Sequence, residues 1–430
     1  MKGDKVVAVV VLVGTLDTKG PELRYVRERI REAGCEVILV DAGVRSSDPD
    51  VDISADEVAA AVGEDRPALA TAGDRGAAVM AMARGATAIV QRLHTEGRLD
   101  GIASVGGSGG SSIAAAAMQA LPVGVPKLLV STMASGDTRP YVGTSDIALM
   151  YSVVDIAGLN QLSERILANA AAAIAGMARA AVGFRTSLPA RPVVAATMYG
   201  VTTPCVEAAR EWLEAHGYEV LVFHATGSGG RAMESLIRSG FVSGVLDVTT
   251  SELTDEVVGG VFSAGPERMD AAAAAGIPQV VSLGAAEMGT FGPPDTVPAG
   301  YRDRLLYRHN DSITLMRISA AEAARLGRYI AAKLARASGP VTLFIPRGGL
   351  SSLSVPGAVF HDPLADAALF DALRGALDPR IEVVEMDTHI NDPAFAQAMA
   401  ARLAAGLAAH LAACVPQRDD GATEASPAAC

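Results

Sequence analysis

Residues 101–121, GIASVGGSGGSSIAAAAMQAL, constrain the fold more than any other stretch of this chain. Ile102, Ala103, Ser104 and Val105 read as the end of a short buried strand. Four glycines then fall within five residues, Gly106, Gly107, Gly109 and Gly110, with Ser108 between them. An Ala-rich helical run follows, which Ser111 or Ser112 is placed to cap through its hydroxyl. Glycines cost conformational entropy, so a cluster of them marks a close approach of the backbone to something. Two readings fit. In one, a bare backbone at a helix N-terminus offers its N–H groups and the positive end of the dipole to a phosphate. In the other, glycine lets strand and helix pack tightly. The stretch is not a Walker loop, because no Gly-Lys-Ser/Thr ends it, and GGSGGS lacks the third glycine of GxGxxG.

The order of apolar run, polar turn and helix recurs along the chain. Residues 5–13 are almost continuously apolar, as in a strand of a parallel sheet covered on both faces. Further strands are expected at 36–40, 127–131, 193–198, 219–223, 244–248, 341–345 and 381–385. Helices are expected at 22–33, 73–96, 155–181, 204–216, 320–337, 363–376 and 392–411. The Asp-rich segment 42–67 reads as a surface excursion, and GFRTSLPARP at 183–192 as a linker. After the linker the pattern restarts. GCEVILV at 34–40 matches GYEVLVF at 217–223, and GVPKLLVS at 124–131 matches GIPQVVS at 276–282. This weak internal repeat, with strands alternating with helices, predicts an α/β chain with mainly parallel sheets and helices on both faces. The domains are expected at 1–184 and 192–414, before a flexible polar tail at 415–430.

Composition narrows the function. Hydrophobic residues make up 50% and aromatics 4%, so the core is aliphatic and Ala-rich. A net charge of −12 argues against a nucleic-acid binder, though not against a local basic pocket. Cys35, Cys205, Cys414 and Cys430 lack metal-type spacing and read as reduced thiols of a cytoplasmic protein. No apolar run reaches the roughly 18 residues of a membrane span, so no membrane partner is expected. The N-terminal apolar run lacks a following small-residue cleavage site and reads as a strand rather than a secretory signal.

In parallel sheets, the loops beyond the carboxyl ends of the strands bind ligands. The first half offers three: Gly14, Thr15, Asp17, Thr18 and Lys19; Gly106 to Ser112, including Ser108 and Ser111; and Ser135, Gly136, Asp137, Thr138 and Arg139. Lys19 and Arg139 suit phosphate oxygens, and Asp17 a metal or a ribose. Against this, Asp17 can be a cap, Lys19 a solvated cation, and Asp137 with Arg139 an ion pair that stiffens its loop. The ligand reading places Asp17, Lys19, Asp137 and Arg139 in one cluster around the phosphates. The second half offers an anion site at Gly227, Ser228, Gly229, Gly230 and Arg231, with Arg347, Gly348 and Gly349. His224, His309, His361 and His389 lie in polar loops, the last three near Asp, where each is either a general base or an ordinary loop residue. There is no GxSxG elbow and no metal-ligand spacing such as HExxH, so no protein-held metal centre is expected.

Taken together, GTLDTKG at 14–20, VGGSGGSS at 105–112, ALPVGVPK at 120–127, STMASGDTRPYVG at 131–143 and YSVVDIAGLN at 151–160 resemble the Tm-one-like ATP-binding family. FHATGSGGRAME at 223–234, AGPERMDAAAAAGIPQVVS at 264–282 and HINDPAFA at 389–396 extend the resemblance through the second half. It implies two Rossmann-like domains, ATP binding, and a homodimer. The family's plant namesake carries a further barrel domain, similar to phosphoenolpyruvate-utilising enzymes, which implies a separately encoded barrel-domain partner here. The resulting expectation is an ATP-binding enzyme or enzyme subunit that acts with Mg²⁺ on a small acidic metabolite in an interdomain cleft. The alternative is a nucleotide-responsive binding or regulatory protein without catalysis of its own.

Overall fold

The structure is a computed structural model that describes residues 7–184, 189 and 191–414. It divides into two compact units, Met1–Leu188 and Pro189–Cys430. The tail expected at 415–430 and the middle of the expected linker lie outside the described residues. Among the described residues, no helix is long and apolar enough to cross a membrane.

The first unit runs β1 (Val9–Gly14), α1 (Leu16–Glu32), β2 (Glu36–Asp41), α2 (Ala55–Ala60), α3 (Arg66–Thr71), α4 (Arg75–Thr95), β3 (Gly101–Gly106), α5 (Ser108–Gln119), β4 (Lys127–Ser131), α6 (Arg139–Val142), β5 (Ala148–Tyr151) and α7 (Gln161–Ala181). Its five strands are all parallel, in the order β2-β1-β3-β4-β5. Strand alternation sends side chains to two separate cores. Val11, Val13, Ile102 and Leu129 pack with Met82, Ile89 and Leu93 of α4 and Ile113 of α5. Val10, Leu12, Val105 and Val130 pack with Leu23, Val26 and Ile30 of α1 and Leu167 and Ile174 of α7. Each such fully buried aliphatic side chain contributes roughly 1.5–3 kcal/mol, so both faces hold the sheet.

The second unit runs β6 (Val193–Met198), α8 (Thr203–Ala215), β7 (Glu219–His224), α9 (Ser228–Arg238), β8 (Gly244–Thr249), α10 (Ser251–Val258), α11 (Asp270–Ala275), β9 (Gln279–Gly284), β10 (Met288–Phe291), β11 (Leu306–Arg308), β12 (Thr314–Arg317), α12 (Ala320–Leu334), β13 (Val341–Pro346), α13 (Pro363–Ala376), β14 (Glu382–Met386) and α14 (Pro393–Cys414). Six parallel strands take the order β14-β13-β9-β8-β6-β7. Numbered within each parallel sheet, both follow 2-1-3-4-5, with one more strand in the second. Both are Rossmann-like α/β layers, and the internal repeat is a repeat of topology. An antiparallel sheet, β10-β12-β11, is inserted between β9 and β13.

Several boundaries differ from the sequence reading, each for a local reason. The helix expected from 155 starts at Gln161, because Asn160 accepts from the N–H groups of Leu162 and Ser163 and caps it there. Residues 152–160 are instead a loop with Val153 (φ 63°) and Gly158 (φ 84°) in the left-handed region. The excursion at 42–67 contains the short α2, closed by a capping box between Ser54 and Glu57, and the start of α3.

Candidate functional site

The chain leaves β1 and β3 toward opposite faces of the first sheet. α1 covers the face it shares with α7, and α5 the face it shares with α4. Adjacent parallel strands whose connections diverge leave a crevice beyond their carboxyl ends, the usual ligand position in such sheets. A cavity of about 500 Å³ lies there. Two of the expected loops line it, through Thr15, Asp17, Thr18 and Lys19 and through Gly107, Ser108, Gly109 and Gly110. Arg45, Leu69, Asp74, Arg75, Val79 and Ile113 also line it, and the sequence reading had not singled these out.

Each wall has a structural cause. Gly14 ends β1 where a Cβ would strike the Leu23 side chain, so the strand can approach α1 closely. At Gly106 a Cβ would stand 3.0 Å from the backbone of Gly110 and Ser111, which lets α5 start directly on the strand end. The buried Asp41 carboxylate accepts from the N–H groups of Leu16 (3.2 Å) and Gly43 (2.9 Å), pinning the turn after β1 to the turn after β2. Burial raises its pKa. Asp17 accepts from the N–H of Arg45 at 3.0 Å and so orders the next wall. Thr15 and Thr18 share a hydroxyl–hydroxyl bond of 2.8 Å.

α5 begins at Ser108 with Gly107 as its N-cap and no side-chain cap. Neither serine expected to cap it does so, because the helix starts three residues before Ser111. Ser111 is buried and bonds to Ser131 (2.7 Å), while Ser112 bonds back to the carbonyl of Ser108 (2.9 Å). The first-turn N–H groups of Ser108, Gly109 and Gly110 therefore have no partner inside the helix. A Cβ on Gly109 would lie 4.0 Å from Nη2 of Arg75. Neither Arg45 nor Arg75 forms a side-chain ion pair among the described residues. Asp74, by contrast, is spent as the N-cap of α4, accepting from the N–H of Ala77 at 2.9 Å.

The expected four-residue cluster is only half assembled. Asp17 and Lys19 reach the cavity, with Lys19 Nζ donating to the carbonyl of Ile156. Ser135, Gly136, Asp137, Thr138 and Arg139 do not line it. Arg139 instead grips Asp137 with two bonds of 2.8 Å, fully in solvent, and holds that carboxyl at about 2. Arg139 is thus engaged within its own turn and away from the cavity.

Residues 8–182 match the N-terminal domain of the Uncharacterised protein family UPF0261, and residues 191–407 match its C-terminal domain. The chain belongs to the UPF0261 family. It is 50% identical over 399 residues to a UPF0261 protein of Clostridium tetani, a match covering 92% of this chain and 98% of that one. A Rhizobium meliloti member is 48% identical over 394 residues, covering 91% and 97%. The ToMV resistance protein Tm-1 of Solanum lycopersicum is 40% identical over 414 residues, covering 91% of this chain and 54% of the tomato protein. This chain thus spans about half of that plant relative.

In the second unit of this UPF0261 chain, the expected anion loop is already filled from within. The N–H groups of Gly227 (2.7 Å) and Gly230 (3.0 Å) both donate to Oε1 of Glu252. A Cβ on Gly230 would overlap that carboxylate. Glu252 Oε2 accepts from Arg268 Nε at 2.7 Å, and Arg268 also grips Asp247 with two bonds of 2.7 Å. All three side chains are buried. Ser228 and Gly229 stand in the first turn of α9, and Arg231 donates to the carbonyl of Ser263. A free phosphate would meet a carboxylate at this loop, so we correct the expectation of a ligand site at 227–231.

The other half of that expected site is separate. Arg347, Gly348 and Gly349 border a cavity of about 310 Å³ with His361, Asp366 and Arg374, which none of residues 227–231 lines. Arg347 pairs with Asp387 (2.7 Å), and Arg374 holds both oxygens of Glu385. Gly348 donates to Thr388, so the loop is tied to the exit of β14. No histidine forms an ion pair with a carboxylate among the described residues; His361 sits on the carbonyl of Ser354 (3.2 Å). His224 lies 5.7 Å from the Tyr199 ring, and His309 and His389 are exposed. No group of three His, Cys, Asp or Glu is placed to hold a metal ion among the described residues.

Two buried carboxylates of this unit had no signal in the sequence. Asp255 accepts from the N–H groups of Thr290 (2.6 Å) and Phe262 (3.1 Å), joining α10 to β10. Glu287 accepts from the Ser351 hydroxyl, with its second oxygen unpartnered. Burial pushes each to about 7.

Proposed function

We propose that the first unit binds ATP or a related nucleotide, with the phosphates against the start of α5. One observation carries this reading. An uncapped helix N-terminus and two guanidiniums without ion-pair partners among the described residues, Arg45 and Arg75, meet in one cavity of about 500 Å³ at the strand-order reversal. A polyphosphate supplies the negative charge that both features favour. Leu69, Val79 and Ile113 add the apolar surface a base needs. Mg²⁺ usually keeps several waters and takes one or two carboxylates plus phosphate oxygens. Asp17 is the carboxylate at hand, since only one of its oxygens accepts from Arg45.

On this reading the protein is an ATP-dependent enzyme, or an enzyme subunit, acting on a small acidic metabolite. It works as a homodimer, with a separately encoded barrel protein as a further partner. The buried free thiols of Cys35 and Cys205 suit a reducing, cytoplasmic setting. The second reading is a nucleotide-responsive binding protein. It is favoured by Lys19, which joins the cavity to the loop at 152–158.

Calorimetric titration with ATP and Mg²⁺ tests the site. Wild type is expected to bind, and the Arg45→Ala, Arg75→Ala double variant to lose at least about tenfold in affinity. No binding by wild type, or unchanged affinity in the double variant, contradicts the reading. ADP release in the presence of candidate acidic metabolites separates enzyme from binder.

A further inference from the structure

Lys19 sits where α1 is not helical (φ −130°, ψ 23°), between the cavity loop and Pro21. Lys19 lines the nucleotide cavity, and its ammonium donates to the carbonyl of Ile156, 137 residues away. Ile156 is buried in the α1–α7 core, so this bond fastens one side of the loop at 152–158. Two residues on, Glu22 fastens the same end of the loop, its Oε1 accepting from the N–H of Gly158 at 2.7 Å. Glu22 is itself buried, and its second oxygen has no partner. Within the loop, Val153 holds φ 63°, a left-handed conformation that β-branched residues rarely adopt. Val153 is 57% exposed, so packing does not hold it there. The loop thus carries a left-handed residue; its start is tied by Ser152 to Ser131 and Val154, and its end by two residues of α1, one of which lines the ligand cavity.

We propose that Lys19 is a latch. Nucleotide phosphate draws its ammonium away from the Ile156 carbonyl and releases the loop at 152–158. The inference rests on the nucleotide reading and adds a regulatory output to the same site. The physical reason is a competition between acceptors. The ammonium already makes a charge-assisted bond to the neutral carbonyl, and a phosphate oxygen adds the Coulombic attraction of its own negative charge. Once Lys19 turns, the Ile156 carbonyl loses its donor, and the strain at Val153 favours rearrangement. The two states differ in a bond the ligand itself removes, which gives the ligand the differential interaction that a conformational shift requires.

Hydrogen–deuterium exchange on the full chain, with and without ATP and Mg²⁺, tests the latch. Bound nucleotide is expected to slow exchange at 107–112 and to speed it about tenfold at 153–158, the scale of one lost hydrogen bond. Lys19→Met without ligand is expected to show the fast loop already, and ATP is expected to leave it unchanged. Exchange at 102–105 of β3, in the buried core of the same unit, reports that the variant is folded. Slowing at 107–112 with an unchanged or slower loop overturns the latch and leaves the nucleotide reading standing. Absence of slowing at 107–112 overturns both. A wild-type loop rate in folded Lys19→Met also overturns the latch.

Discussion

In the first unit β3 runs through 106–110 into α5; in the second, β7 runs through 227–230 into α9. Both turns place amides of a helix N-terminus at the carboxyl edge of a parallel sheet, and their glycines permit the same close approach. Their surroundings differ. Two of the amides at 227–230 end on Glu252, whose charge is balanced by the buried Arg268. The cavity at 107–110 has Arg75 and Arg45 on its walls, and Asp17 and Asp74 there already serve other backbone groups. Position differs too: β3 neighbours β1 at the strand-order reversal, while β7 is the sheet edge. A glycine turn therefore makes an anion site available. Residues remote in sequence decide whether the anion is a side chain or a ligand.

The strongest way to break this comparison is to remove the internal anion. Glu252→Ala leaves Arg268 short of one partner and two buried amides without an acceptor. Breaking one partner out of a buried ion pair costs about 3–5 kcal/mol. Urea unfolding is expected to show that loss in the second unit, with nucleotide affinity unchanged. A loss below about 1 kcal/mol would mean that the loop does not depend on its carboxylate.

Next in size is a pH effect confined to the second unit. Asp255 and Glu287, raised to about 7 by burial, bind their protons more tightly folded than unfolded. Their contribution to stability is full below the unfolded carboxyl range near pH 4 and is lost as pH rises through 7. Going from pH 5 to pH 8 is expected to cost on the order of 2–3 kcal/mol for each. Glu287→Gln removes its share of that slope and is expected to be at least as stable as wild type at pH 8. An equal slope in both proteins would refute the assignment.

Arg75→Ala sharpens the other side of the comparison. Losing a charged hydrogen bond to phosphate is worth about 1.5–3 kcal/mol, or roughly 10- to 100-fold in affinity. Stability should not change, since Arg75 has no ion-pair partner among the described residues. The smallest effect is expected for Arg139→Ala. Its solvent-exposed pair with Asp137 is worth at most about 1 kcal/mol of stability, and calorimetry should find nucleotide affinity unaltered. A tenfold loss of affinity there would restore the 135–139 loop to the site.

Most of the sheet was legible because buried parallel strands are continuous apolar runs; the expected strands at 127–131 and 193–198 coincide with β4 and β6. β5 was not, because Ala148–Tyr151 is a short, half-exposed edge. The inserted sheet was missed because its three short strands are antiparallel and interrupt the βα rhythm. The cavity's two loops could be placed from strand ends alone. Arg75 was within reach of sequence reasoning, since Asp74 before a helical run is a capping signal that fixes where α4 starts. Glu252 was not, because nothing local to residues 227–230 announces a carboxylate arriving from α10. The Asp137–Arg139 pair stood among the alternatives, and only geometry chose between it and a ligand clamp.

The central claim, that the open glycine turn is the phosphate site, is tested most directly by calorimetric titration of Gly109→Val with ATP and Mg²⁺. Gly109 lies in the first turn of α5 with no positive φ, and a Cβ there meets only the tip of Arg75, so the fold should tolerate valine. Its branched side chain stands where the phosphate would approach the backbone. The account predicts a folded variant with affinity reduced at least about tenfold, the cost of one or more charged hydrogen bonds. A folded variant that binds ATP as wild type does would contradict it.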